Sequence, residues 1–343
     1  MKPLKLFLPR SLRRHIRRQM DTWMRYNWPK RAPRNGRAPC VAVVAVNYNT
    51  KNLLARLIFS LRRILDGQVR LGPIVVVDNH STDGSVELIR HMAARKIVHG
   101  LFNQQQAYHG PGLNQGMDYL RRQICSGNPE FAEVDYVLVV DSDVFITKGE
   151  VFDLAVDALI ASGACMAGEA HDNIPIDGGY IHVSSLLLDP AVTWRRGLYP
   201  FEEHGLPALS FQQSTIRNKL PRLHFPLRAE FFLIHLWSST LKAICDDKET
   251  QNKYFDFAAA DLPKRAPLDT ATASILEEFE QVFQAETGTG DPARIAEACL
   301  KPARIRLVRP YELAPTALNR QILKRPGPGF VLWADSPFQK CPA

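Results

Sequence analysis

Three short apolar runs, each ending abruptly in a polar cluster and separated by amphipathic helical stretches, constrain this chain most. Val41 to Val46 ends in Asn47-Tyr48-Asn49, Ile74 to Val77 ends in Asp78-Asn79, and Tyr136 to Val140 ends in Asp141-Ser142-Asp143. Runs this short, rich in Val and free of charge, read as strands buried on both faces of a sheet. Between the first two lies Leu53, Leu54, Leu57, Ile58, Leu61, Ile64 and Leu65, an apolar stripe at helical spacing after a capping Thr50. After the second, Asp83 is placed to cap a helix from about Ser85 to Arg95, with 66–72 read as a loop. Strand, helix, strand, helix with short connections predicts a parallel sheet with right-handed crossovers. Such a sheet gathers all three polar clusters on one rim, where ligands bind in open α/β sheets.

The pair Asp141 and Asp143 carries the sharpest chemistry. Two carboxylates one residue apart repel each other unless a cation lies near them. Oxygen donors suit Mg²⁺ or Mn²⁺, which in turn hold a diphosphate. The competing reading is a solvated turn capping the next helix, and two further polar strand ends on the same rim weigh against it.

The rest of the chain is read more coarsely. A Gly-rich stretch, His109 to Gly116, is followed by a helix with Met117, Leu120 and Ile124, and Thr147-Lys148-Gly149-Glu150 is a capping box opening a helix through about Ser162. Strand-like segments run from Tyr180 to Leu188 and from Phe231 to Ile234, and helical stretches lie near 270–285 and 292–300. No apolar run reaches the length of a membrane span, and the N-terminus has no apolar core and cleavage site of a signal peptide. Six scattered cysteines without a C-x-x-C pair argue for reduced thiols rather than a zinc site or a disulfide framework.

The charge of +8 is unevenly placed. Residues 1–39 hold twelve Lys or Arg against one Asp, which leaves the remainder at −3, so charge gives a nucleic-acid role for the folded body no support. Leu12, Ile16, Met20, Trp23, Met24 and Trp28 mark one helical face of that basic segment, with arginines mostly off it. A helix of this kind suits an anionic membrane surface, or docks on its own domain or a partner. A Pro/Arg-rich linker follows from Pro29 to Pro39.

The motifs taken together resemble family 2 glycosyltransferases of the GT-A fold. The matching text is Val43-Val44-Ala45-Val46-Asn47-Tyr48-Asn49, Val75-Val76-Val77-Asp78-Asn79-His80-Ser81-Thr82-Asp83-Gly84-Ser85, Gly110-Pro111-Gly112-Leu113-Asn114-Gln115-Gly116 and Asp141-Ser142-Asp143, in family order. The resemblance covers about residues 40–150, is weaker over 151–240 and is absent elsewhere. It implies a Rossmann-like, mostly parallel sheet flanked by helices, with a mixed acceptor-side half and a helical C-terminal extension. The implied division is a basic segment and linker at 1–39, a nucleotide-sugar-binding half at 40–150, an acceptor half at 151–260 and an extension of unassigned role at 261–343.

Site roles follow from the resemblance. Asp78 would accept a hydrogen bond from the nucleotide base, with Asn47, Tyr48, Asn49 and Asn79 lining the base and ribose pocket. Gly112 and Asn114 would let the backbone approach the donor, next to His109 where many members carry an aromatic residue. Asp141 would meet the ribose or a metal-bound water and also serve the cation, Asp143 would ligate the cation directly, and His235 would be a late further ligand. The general base would be Glu203, in Glu203-His204-Gly205, with Glu202 and Asp177 as alternatives. The implied activity is metal-dependent, inverting sugar transfer from a nucleotide diphosphate donor to a glycan, lipid-linked or other hydroxyl acceptor, with Mn²⁺ or Mg²⁺, in the cytoplasm or peripheral on the inner membrane face. A non-catalytic sugar-nucleotide or glycan binding protein on the same fold is the alternative. A sugar nucleotidyltransferase fits less well, because Asn47-Tyr48-Asn49-Thr50 stands where that class carries a basic, Gly-rich phosphate loop.

Overall fold

The computed structural model describes residues 28–30, 35–64, 69–147, 150–171, 176, 179–195, 198, 200–202, 206–224, 233–236, 270–288, 290–301 and 330–331. The basic helical face before Trp28 and the candidate bases Glu203 and Asp177 lie outside the described residues. The first half alternates as expected: β1 (Cys40–Asn47), α1 (Lys51–Ile64), β2 (Arg70–Asp78), α2 (Ser85–Ala94), β3 (His99–Phe102), α3 (His109–Cys125) and β4 (Tyr136–Asp141). The chain continues through β5 (Val144–Ile146), α4 (Glu150–Ser162), β6 (Met166–Gly168), β7 (Ala170–His171), β8 (Tyr180–Ile181), β9 (Ser185–Leu188), α5 (Pro190–Thr193), α6 (Leu209–Arg217), β10 (Arg222–His224) and β11 (Leu233–His235). It ends with α7 (Thr270–Thr287), α8 (Pro292–Leu300) and β12 (Phe330–Val331).

Eight strands form one sheet in the order β12-β10-β6-β9-β4-β1-β2-β3. All run parallel except β9, which pairs antiparallel with both β4 and β6. β1 is an inner strand between β4 and β2, and all eight of its residues are buried. Its side chains alternate between two cores, as the period of a strand requires. Val41, Val43 and Ala45 face a layer of α1, α2, α4, α7 and α8, whereas Ala42, Val44 and Val46 face α3, α6 and Trp194.

The C-terminal helices complete the first of these layers. Phe279 and Phe283 of α7 meet Phe59 of α1 edge-on at 6.1 and 5.3 Å. Each buried Phe of this kind contributes about 1.5–3 kcal/mol. Arg56 grips Glu280 through two nitrogens, and Arg63 donates to the Ala298 carbonyl at 3.1 Å. The segment 270–301 is therefore built into the same core as β1.

Several details depart from the sequence reading. β2 begins at Arg70, inside the expected loop, and runs through Gly72 and Pro73 because the register with β1 slips between Val41 and Val43. That irregularity accommodates a proline that cannot donate to the ladder. The run from Tyr180 to Leu188 is broken at 182–184 into β8 and β9. The linker is docked at both ends: Trp28 N–H donates to the Trp194 carbonyl at 3.0 Å, and Arg37 pairs with Asp135 at 2.7 and 3.1 Å.

The glycine stretch is the largest correction. Residues 109–116 are the first two turns of α3 rather than a separate stretch before it. Small residues let that helix lie close to the sheet: a Cβ on Gly112 would sit 2.9 Å from Val46 Cγ2, and one on Gly116 2.5 Å from Val44 Cγ1. Among the described residues, no helix is long and apolar enough to cross a membrane.

A candidate cation and ligand site on the sheet rim

Register places the polar strand ends side by side. Asn47 pairs across with Asp78, and Val46 with Asp141, so β4, β1 and β2 end together. Adjacent strands lie about 4.8 Å apart, which sets the Asp141 and Asp78 ends roughly 10 Å from each other.

At the Asp78 end, the polar groups are tied to one another. Asp78 is buried, and its two oxygens accept from Asn47 Nδ2 at 2.9 Å and from Ser81 N–H at 2.9 Å. Asn47 is fully buried; its Nδ2 also reaches Ser81 Oγ at 3.1 Å, and its Oδ1 accepts from Thr50 Oγ1 at 2.8 Å. Asn49 adopts a left-handed conformation with φ of 51°, which Asn tolerates. It holds Thr82 N–H through its own Oδ1 at 2.8 Å. Asn79 Nδ2 donates to the Ala107 carbonyl at 2.7 Å while its Oδ1 accepts from Asn103 at 2.7 Å, so it ties down the loop before α3. Tyr48 is half-buried at the same strand end.

Thr50 was expected only as a cap. Its carbonyl does accept Leu54 N–H at 2.8 Å, but its hydroxyl joins Asn47 to Ser142 Oγ, 2.8 Å away. The helix-start donor Lys51 N–H goes instead to Asp83 Oδ2 at 2.8 Å, and Asp83 Oδ1 accepts from Ser85 N–H at 3.0 Å. One chain of hydrogen bonds thus links Asp78 to the Asp141-Ser142-Asp143 turn. Thr50 was missed as a link because a hydroxyl beside a helix start reads first as a cap.

At the other end, β4 ends at Asp141, and the next two residues form a turn into β5. β11 pairs antiparallel with β5, setting His235 opposite Val144, and Leu236 N–H donates to the Asp143 carbonyl at 3.1 Å. His235 Nε2 thereby lies 3.1 Å from Asp143 Oδ1 and 3.5 Å from Asp141 Oδ2. The Asp141, Asp143 and His235 donor atoms all fall within 4.8 Å of one another. His182 sits behind His235 with ring centres 6.0 Å apart.

Two observations fit this trio to a divalent cation. The donor set, two carboxylates and one imidazole, is what such an ion takes. Asp141 Oδ1 is enclosed and makes no hydrogen bond of good geometry, although His109 Nε2 lies 3.2 Å away. Burial pushes the Asp141 carboxyl above its ordinary value; His109 and His235 pull it back, and Asp143 adds to the rise.

Gly112 and Asn114 sit on α3, Gly112 against Val46 and Asn79. Asn114 brackets the backbone of Phe201, donating to its carbonyl at 2.8 Å and accepting its N–H at 3.0 Å. A Cβ on Gly110 would fall 1.5 Å from the Glu202 carbonyl oxygen, so α3 and the 201–202 segment are in close contact. Glu202 itself is half-buried and accepts a short hydrogen bond from the Ser210 hydroxyl.

Residues 42–167 match the model of glycosyl transferase family 2. No curated protein sequence matches the chain. Among solved structures, mannosyltransferase PcManGT from Pyrobaculum calidifontis, in complex with GDP-Man and Mn²⁺, is 16% identical, with a TM-score of 0.42 over 84% of this chain and 81% of that one. TarS 1-349 from S. aureus, in complex with UDP-GlcNAc, is 16% identical with a TM-score of 0.39. That likeness spans 51% of this chain and about half, 53%, of the TarS chain. Glucosyl-3-phosphoglycerate synthase from Mycobacterium tuberculosis, in complex with phosphoglyceric acid, is 15% identical, with a TM-score of 0.36 over 56% and 72% of the two chains.

Proposed function

We propose, from the match of residues 42–167 to the glycosyl transferase family 2 model, that the protein is a metal-dependent, inverting glycosyltransferase using a nucleotide diphosphate sugar. The observation that carries this reading is the convergence of Asp141, Asp143 and His235 on the same rim as Asp78. A span of roughly 10 Å between those strand ends suits a nucleoside at one end and a diphosphate at the other.

Asp143, His235 and Asp141 would hold the cation, Mn²⁺ or Mg²⁺. When bound, the cation supplies Lewis-acid neutralisation of the charge that develops on the departing diphosphate. Asp78 keeps lone pairs beyond its two internal hydrogen bonds and would accept the imide N–H of a base. Asn47 holds the Asp78 carboxylate still while it does so. Inversion needs a carboxylate to take the acceptor hydroxyl proton on the face opposite the leaving group. We assign this to Glu203, with Glu202 and Asp177 as alternatives; the link from Asn114 to Phe201 holds the chain just before Glu203 against α3. The acceptor is a glycan, lipid-linked or other hydroxyl, and the basic residues 1–39 would bring the protein to an anionic membrane surface.

Transfer from a panel of nucleotide sugars, with and without Mn²⁺ or Mg²⁺, tests the reading. Asp143→Asn is expected to lower metal-dependent turnover on the order of 10²–10³-fold, the equivalent of a few kcal/mol of lost charge stabilisation. Full turnover by that variant would remove the cation from the mechanism.

A further inference from the structure

His109 is a residue for which the sequence offered no role. It occupies the first turn of α3, and the structure fixes that turn from two sides. Gly110 lies against the Glu202 carbonyl and Gly112 against Val46, at separations that no larger residue could share. The imidazole so placed is half-exposed and brings Nε2 to 3.2 Å from Asp141 Oδ1. On the other side of the same carboxylate, His235 Nε2 lies 3.5 Å from Oδ2. The two imidazoles therefore address different oxygens of one carboxylate.

We propose that His109 is a positioning residue for the cation site, donating its Nε2–H to Asp141 Oδ1 and turning Oδ2 toward the point shared with Asp143 and His235. This rests on the cation-binding reading above. Three observations support it. Asp141 Oδ1 is enclosed and has no well-formed hydrogen bond, so it has an unmet need that a small rotation of the His109 ring satisfies. The compact group of donor atoms within 4.8 Å comprises Asp141, Asp143 and His235 without His109, which sets His109 behind a ligand rather than among the ligands. Finally, its backbone is held by glycine contacts that allow little movement, as an orienting group requires. Carboxylates that bind metals are commonly fixed by such outer hydrogen bonds, and losing one weakens metal affinity about 10–100-fold.

Mn²⁺ titration of the full chain, followed by the electron paramagnetic resonance of the free ion, reads this directly without any turnover. The panel is wild type, Asp143→Asn, His109→Phe, His109→Ala and His109→Gln, with melting curves of each metal-free protein. His109→Phe and His109→Ala are expected to bind Mn²⁺ about 10–100-fold more weakly, with each metal-free protein still melting cooperatively. His109→Gln, whose side-chain N–H reaches the same oxygen, is expected to stay within about threefold of wild type, as a retained hydrogen bond predicts. Wild-type affinity in both His109→Phe and His109→Ala overturns the proposal. So does a His109→Gln affinity as low as theirs, which would make the imidazole a ligand itself. Failure of the wild type to bind Mn²⁺, or undiminished binding by Asp143→Asn, would instead remove the cation site and the role of His109 with it.

Discussion

The two ends of the rim solve opposite problems. Around Asp78, the buried carboxylate is answered within the protein by Asn47 and Ser81 N–H, and Asn47 in turn by Thr50. Around Asp141, two carboxylates and two imidazoles crowd together, and one enclosed oxygen has no well-formed hydrogen bond. The first corner is complete as folded and would serve as a rigid template. The second gathers donor atoms that could hold a divalent cation. Removing a group should therefore weaken the fold at one corner and relieve it at the other.

Asn47→Ala gives the largest expected effect on stability. It removes three side-chain hydrogen bonds at a fully buried position and takes a partner from the Asp78 carboxylate. A buried charge deprived of a partner costs about 3 kcal/mol or more. Urea unfolding should show this loss equally with and without Mn²⁺. A loss that Mn²⁺ repaired would mean that the two corners are not separate in the way described.

Much of this contrast was legible in the sequence. Uninterrupted valine runs fixed β1, β2 and β4, and parallel pairing made the alignment of their ends unavoidable. His235 was reached through the family resemblance rather than through its position after an apolar run, and its meeting with Asp143 depends on the β5–β11 pairing, which no local pattern displays. The glycines of α3 misled, because glycine signals loop in isolation and helix–sheet proximity only once Val44 and Val46 are in place. The packing of α7 and α8 was hidden for a similar reason. Phe279 and Phe283 announce an apolar helix face but not that Phe59, more than 200 residues earlier, is what they cover. Antiparallel β9 inserts between two parallel strands, an order set by the whole sheet rather than by the four residues Ser185–Leu188.

Thr50 joins the corners, so Thr50→Val probes the connection while preserving shape. It deletes the bonds to Asn47 Oδ1 and Ser142 Oγ, both buried. The expected loss is about 1–2 kcal/mol on unfolding. Because Ser142 lies between Asp141 and Asp143, Mn²⁺ affinity should also fall a few-fold, whereas Thr50→Ser should restore both. Lost stability with unchanged affinity would show that the bridge supports the fold without tuning the cation corner.

The smallest expected shift has the opposite sign. Asp141→Asn keeps the shape of the side chain and removes one of two neighbouring negative charges from an enclosed place. Relief of that desolvation and repulsion should stabilise the metal-free protein by about 1 kcal/mol. The same change should abolish the stabilisation that the wild type gains from Mn²⁺, which at a concentration of 100 Kd amounts to about 2.7 kcal/mol. Melting each protein with and without Mn²⁺ would then give crossed results: the variant above the wild type without metal, and below it with metal. That crossing follows only if the carboxylates are held together at a cost that the cation offsets. Should Asp141→Asn instead melt lower without metal, as Asn47→Ala must, His109 and His235 already balance the charge of Asp141. The cation corner would then be as complete as the Asp78 corner.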